Sequence, residues 1–240
     1  MHVLRPLSLA NRSLRSNEGV ADLSYLRPAG TLLRNEHSLR AVTPTRPIQA
    51  REAPDTGKRD AILEAALELF TDRGFHGTAV PLVAEKAGVG AGTIYRYFES
   101  KEHLVNVLYR REKQAMLDAL LSDFPFQKAA REQFRTFFRR SVAYAEAHPR
   151  SSRFLELHHH APYLDQASRE LEEHGMQLML GAVHAAVVQE AMKDLPPMVL
   201  VSVVWGVFLG LLRAWSEDRL ELTEHVIAHA EQCAWEAIRR

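Results

Sequence analysis

One cysteine, Cys233, occurs in 240 residues. A lone cysteine cannot close a disulfide within a chain, nor supply a cysteine-only zinc site. Net charge is absent too, since 30 Lys plus Arg balance 30 Asp plus Glu. That argues against a protein held to its partner by bulk positive charge. No uninterrupted run of about 18 apolar residues occurs. The longest apolar stretch, 198–212, is broken by Ser202 and Gly206 and is short for a membrane span. A cytoplasmic protein with no membrane partner is expected. Two-residue alternation of apolar and polar side chains is missing, and with it the mark of a strand.

Signatures of catalysis are also missing. The glycine-rich stretch 88–92 has Thr93 where a dinucleotide fingerprint needs its third glycine, and no Gly-Lys-Ser/Thr of a phosphate loop follows. No Gly-x-Ser-x-Gly elbow occurs, and Cys233 has no evident base partner in the sequence. A single Glu-x-x-His runs from Glu156 to His159, whereas di-metal bundles use two. Three successive histidines, 158–160, step about 100° apart on a helix and cannot all face one site. Glu156 with His160 could supply two ligands; partial exposure, or one histidine lining a pocket, is the simpler reading. Neither enzyme activity, a cofactor nor a metal site is expected.

What is present is helical periodicity from about residue 58 onward. Before it, residues 1–57 carry eight arginines, no lysine, five acids and five prolines, with apolar residues scattered off any period. Residues 1–55 are expected to form a disordered arm. A phosphate-tracking tail, a targeting peptide and a segment with no functional part are its competing accounts. Ile62, Ala66, Leu69 and Phe70 then recur at helical spacing, with Gly74 as a stop. Thr78 is placed to cap a second helix carrying Val80, Val83, Ala84 and Ala87. Gly88-Val89-Gly90 makes a turn, a third short helix runs to Phe98, and Ser100 caps a fourth. Five further helices are expected at about 127–147, 150–161, 163–193, 197–217 and 222–239, with prolines at their breaks. The fold class is all-α.

A helix, a glycine turn and a second short helix make a helix-turn-helix, here about 79–98. In its last helix Ile94 and Phe98 lie four apart and share the buried face. Gly92, Thr93 and Arg96 then point away, flanked by Tyr95 and Tyr97. Hydroxyls and a guanidinium suit phosphates, and Arg96 can read guanine edges. Lys101 falls in the first turn of the next helix, where the dipole disfavours a cation and a bound phosphate would reverse the sign. Residues 58–110 hold seven bases and seven acids. DNA binding is therefore read from where these side chains lie, not from net charge.

Residues 58–104, from Lys58-Arg59 through Gly92-Thr93-Ile94-Tyr95-Arg96-Tyr97-Phe98-Glu99-Ser100-Lys101-Glu102, resemble the N-terminal domain of the TetR (AcrR-type) transcriptional regulators. The resemblance implies a DNA-binding domain over 56–116 and a helical effector-binding and dimerisation domain over 117–240. It implies DNA contacts by Thr78, Gly92, Thr93, Tyr95, Tyr97 and Lys101, in a regulator acting as a homodimer on near-palindromic double-stranded DNA; a ligand-responsive repressor is the leading reading, and an activator or ligand-independent regulator of the same fold, or a helical metal-dependent enzyme, are the alternatives. Gly90 and Ala91 depart from the family, which often has Ser and another polar residue there, so Thr93 or the backbone must hold the helix start. The resemblance also implies a pocket between the central helices. Phe137, Phe154, His158, Tyr163, Met179, His184, Trp205 and Phe208 are its expected lining, suited to a small apolar or aromatic effector. Val199, Val203, Gly206 and Gly210 on one helix, with Val226, Ala230 and Ala234 on the next, are the expected dimer surface.

Overall fold

The computed structural model describes residues 56–158 and 161–240; the expected arm, His159 and His160 lie outside them. Among the described residues nine helices follow one another: α1 Thr56–Gly77, α2 Val80–Lys86, α3 Ala91–Tyr97, α4 Lys101–Leu121, α5 Ala130–Ala147, α6 Pro149–His158, α7 Gln166–Val188, α8 Pro197–Ser216 and α9 Glu224–Ile238. No strand occurs among the described residues. An isolated antiparallel bridge between Met192 and Arg239 pins the chain's last residues to the α7–α8 connection.

Gly74 stops the regular part of α1 as its position in the sequence suggests. It takes φ +67° and ψ 176°, and the chain resumes helical turns to Gly77. Gly88, at φ +66°, turns the chain between α2 and α3; both conformations are disfavoured for a side chain with a Cβ. The α4 start is built from a reciprocal cap. Ser100 Oγ accepts from His103 N at 3.1 Å, and Glu99 N donates to His103 Nδ1 at 3.0 Å. His103 thus satisfies the backbone donor one residue ahead of the one that Glu or Gln takes in a capping box.

Thr78 does not cap α2. Ala79 holds that place without a side-chain bond. Thr78 is fully buried, and its hydroxyl faces the Leu69 and Gly74 carbonyls at 3.0 and 2.9 Å, tying the loop back onto α1. A carbonyl freed by the Gly74 break needs a donor, and Thr78 supplies it.

Two apolar clusters organise the core. The first joins α1–α4 to Phe154 and Leu155 of α6 and to Leu164. The second joins Phe134, Phe138 and Val142 of α5 to Leu200, Phe208 and Leu211 of α8 and to Ala234, Trp235 and Ile238 of α9. The helix-turn-helix thus shares its core with α6 rather than closing on itself.

α8, Pro197–Ser216, falls where the sequence places it, at about 197–217. It spans 20 residues, with a mean hydropathy of 1.9 over 18 of them, and matches a membrane span by length and composition; 22% of that window is buried. Val199, Val203, Gly206 and Gly210 are exposed on it. Ala234 is not: it is completely buried within its own chain, and Val226 and Ala230 pack against the same cluster. α9 turns its small residues toward α5 and α8, so Ala234 leaves the expected dimer surface.

Candidate nucleic-acid interface

α3 has seven residues and two faces. Ile94, with Phe98 just beyond the helix, is buried in the first cluster, where α3 packs on α2, as their spacing requires. Gly92, Tyr95 and Arg96 are exposed, and Thr93 and Tyr97 are half-buried beside them. Tyr95 keeps 57% of its surface open, an unusual exposure for an aromatic side chain. No side chain caps α3: Gly90 precedes it, and the first turn is held by Thr93 N donating to Gly90 O at 2.8 Å. Backbone contacts therefore replace the missing cap. A Cβ built on Gly92 would meet nothing within 4 Å, so the chain's own packing does not demand glycine there.

Lys101 begins α4 next to this face. Its ammonium lies 4.2 Å from the centre of the Phe75 ring, a cation–π seat in the last turns of α1. Gly92, Thr93, Tyr95, Arg96, Tyr97 and Lys101 are thus carried on α3 and the adjoining end of α4. Thr78 is the exception. Its side chain is engaged inside the protein and offers nothing to a ligand.

The expected effector residues do not converge. Phe154, His158 and Tyr163 belong with the first cluster. His158 is buried 4.6 Å from the Phe154 ring, its Nδ1 is bonded to the Tyr163 hydroxyl, and Tyr163 stacks on Phe75 at 4.0 Å. Phe208 belongs to the second cluster; Trp205 lies 5.0 Å from it and is 39% exposed. Phe137 and Met179 are half-buried, and His184 is exposed. Close packing of two cores has taken the place of a shared cavity.

A different hollow was not foreseen. About 370 Å³ in volume, it lies between α1, α4, α5 and α6, with Glu112, Arg111, Tyr144, His148 and Ser151 among its lining and Ala115 and Ala119 leaving room along α4. The buried Glu112 carboxylate accepts from Arg111 Nε at 2.7 Å and from the Ser151 hydroxyl. Burial and the Glu112 charge push the Tyr144 phenol up to about 12, with Ser151 opposing. These side chains come from four separate stretches of chain, and no periodicity marks them. Burial also pushes His158 below the ordinary histidine range, with the Phe70 backbone opposing, and raises Tyr163. Among the described residues no group of three His, Cys, Asp or Glu is placed to hold a metal.

The comparisons with known proteins agree with this architecture. Residues 62–108 match the model of bacterial regulatory proteins of the tetR family. Residues 109–240 match that of the tetracyclin repressor-like C-terminal domain. The two meet at 108/109 and the expected domains at 116/117, both inside α4. The HTH-type transcriptional regulator RutR of Escherichia coli K12 is 34% identical over 126 residues, covering 49% of this chain and 56% of its own. The HTH-type transcriptional repressor KstR2 of Mycolicibacterium smegmatis is 40% identical over 63 residues, covering 24% of this chain and 31% of its own. The chain thus spans about half the length, or less, of these curated relatives. A TetR-family transcription regulator of Marinobacter aquaeolei VT8 superposes with a TM-score of 0.70 at 26% identity, over 77% of this chain and 97% of that one. With both domain models matched across 62–240, the chain belongs to the tetR family of bacterial regulatory proteins.

Proposed function

We propose that the protein is a cytoplasmic, homodimeric transcriptional repressor that places α3 in the major groove of a near-palindromic operator. The observation that carries this is the pairing of an open α3 face, with Tyr95 and Arg96 exposed, and a lysine at the adjoining α4 start. Thr93, Tyr95, Tyr97 and Lys101 contact phosphates, the Gly92 backbone approaches the duplex, and Arg96 reads base edges. A repressor of the same family is the reading favoured for the sign of regulation, since KstR2 carries that name. The division into a reading domain over 56–116 and an effector and dimer domain over 117–240 belongs to this proposal. A second copy, not lipid, covers the exposed stripe of α8.

A gel shift with DNA from the protein's own upstream region, followed by footprinting, tests the reading. Two protected half-sites, about 34–36 Å or a multiple of a turn apart, are expected. A monomer on one asymmetric site would overturn it. Effector response belongs to the same proposal, but through the hollow at Glu112, Arg111 and Tyr144 rather than an aromatic cavity. Its lining combines Leu67, Ala115, Ala119 and the Tyr144 ring with Glu112, Arg111 and Ser151, which suits a small molecule with an apolar body and hydrogen-bond donors. A thermal-shift screen of such metabolites, repeated with Glu112→Gln, checks that choice.

A further inference from the structure

We propose that Tyr163, in the connector between α6 and α7 and away from the α3 face, is a positioning residue for DNA binding that acts through Phe75 on Lys101. The inference rests on the DNA-binding reading above and adds a residue outside the helix-turn-helix to it.

Two rings and a charge lie in series. The Tyr163 ring stacks on Phe75 with centres 4.0 Å apart and planes 22° apart. That stack occupies one face of Phe75. The Lys101 ammonium lies over the same ring, 4.2 Å from its centre. Phe75 lies one residue past Gly74, where the helix has already broken. Its placement therefore depends on side-chain support rather than on a continuous helix.

Tyr163 can give that support because it is itself held at its carbonyl and at its hydroxyl. Asn106 of α4 donates from Nδ2 to the Tyr163 carbonyl at 2.8 Å. The same amide accepts at Oδ1 from Asp165 N at 2.8 Å, so one buried side chain clamps both ends of 163–165 to α4. The phenol is bonded to Nδ1 of the buried His158 on α6.

Lys101 needs such a seat. An ammonium in the first turn of a helix meets the positive end of the dipole, and a four-carbon stem leaves it many conformations. A ring face fixes the position of the nitrogen, and an ammonium seated on a ring keeps N–H donors for an anion. Without Tyr163 behind it, Phe75 can tilt and the seat is lost. The phosphate contact then has to be made by a disordered lysine.

Salt dependence separates this role from a general loss of fold. Each phosphate contact contributes about 0.9 to the slope of log affinity against log salt, so one Lys101 per half-site contributes about 1.8 in a dimer. Operator binding would be titrated across salt for the full chain and for Lys101→Ala, Tyr163→Ala, Tyr163→Leu, Tyr163→Phe and the Tyr163→Leu/Lys101→Ala double variant. Tyr163→Leu keeps an apolar side chain where alanine leaves the connector unsupported, and circular dichroism confirms which variants are folded. Expected are a slope about 1.8 shallower for Lys101→Ala and at least half that loss for folded Tyr163→Ala and Tyr163→Leu. Tyr163→Phe, which keeps the ring, should retain the full slope, and the double variant should fall no further than Lys101→Ala. If Lys101→Ala keeps the original slope, the phosphate contact itself is wrong and the inference goes with it. If Lys101→Ala flattens the slope while Tyr163→Leu changes it by less than half as much, or if the double variant loses the sum, DNA binding stands and the Tyr163 role is overturned.

Discussion

Thr78 donates its hydroxyl to carbonyls on either side of the α1 break, and Thr78→Val keeps the volume while removing the donor. The expected cost is about 0.5–1.5 kcal/mol, read as a lower melting temperature, with operator affinity unchanged well below the transition. A tenfold loss of affinity in the folded variant would instead put Thr78 at the DNA. His158 sets a pH limit. Its folded-state pKa is depressed below the usual 6.5, mainly by burial. The unfolded chain therefore binds the proton more readily, and stability falls as pH drops below about 6.5 until the folded value is passed. Phe70, Phe154 and Tyr163 surround the ring. Asp165 and Glu68 are shifted down from values near 4, so their contributions are lost only at lower pH. Melting temperature should decline between pH 6.5 and 5.5 in the native chain and decline less in His158→Gln. Equal declines would remove His158 as the cause. The sequence shows Thr78 and His158 plainly, yet a threonine ahead of a helix looks the same whether it caps outward or bonds inward. Only the Gly74 geometry decides.

Among the elements, the helices themselves were the most legible part. Proline breaks and a sustained period place α5 through α9 within a few residues, and Ile94 with Phe98 sets which side of α3 turns out. An aromatic stripe, by contrast, reads alike whether it lines a cavity or fills a core. That is why Phe137, Phe154, Trp205 and Phe208 were grouped in sequence and fall among separate packings in the fold. The hollow at Glu112 was illegible for the opposite reason, being assembled from distant polar residues without a shared pattern. On α3, the chemistry of each side chain separates two effects. Tyr95→Phe removes one hydroxyl from an exposed ring and should weaken binding to all DNA sequences alike. Arg96→Ala should cost about 1–3 kcal/mol at the bases it reads and relax preference there. Binding-site selection checks both; an unchanged consensus from Arg96→Ala would refute base reading.

At the scale of the whole molecule, α8 poses the largest unsolved burial. Only 22% of its apolar window is buried, and although Val204, Val207, Leu209 and Leu212 pack partly against the core, Val199 and Val203 are 44% and 39% exposed. Contiguous apolar surface of this kind marks an interface. A Cβ built on Gly206 or Gly210 would meet nothing within 4 Å, so their glycine character leaves room on the outward side rather than serving the fold. A second α8 laid across that stripe would bury it, whereas the Ala234 face of α9 is already filled from within. The two positions should therefore respond differently. Val203→Asp puts a charge where the partner's apolar side chains must sit, and should yield a folded monomer by analytical ultracentrifugation. Losing the second reading head removes the avidity of a linked pair, so operator affinity should fall by about 10²–10⁴-fold. Ala234→Leu instead overfills a closed core and should lower the melting temperature by about 1–3 kcal/mol worth of stability, with the dimer persisting wherever the chain is folded. If Val203→Asp remains dimeric and Ala234→Leu dissociates, the interface lies on α9 and the exposed stripe of α8 needs another partner.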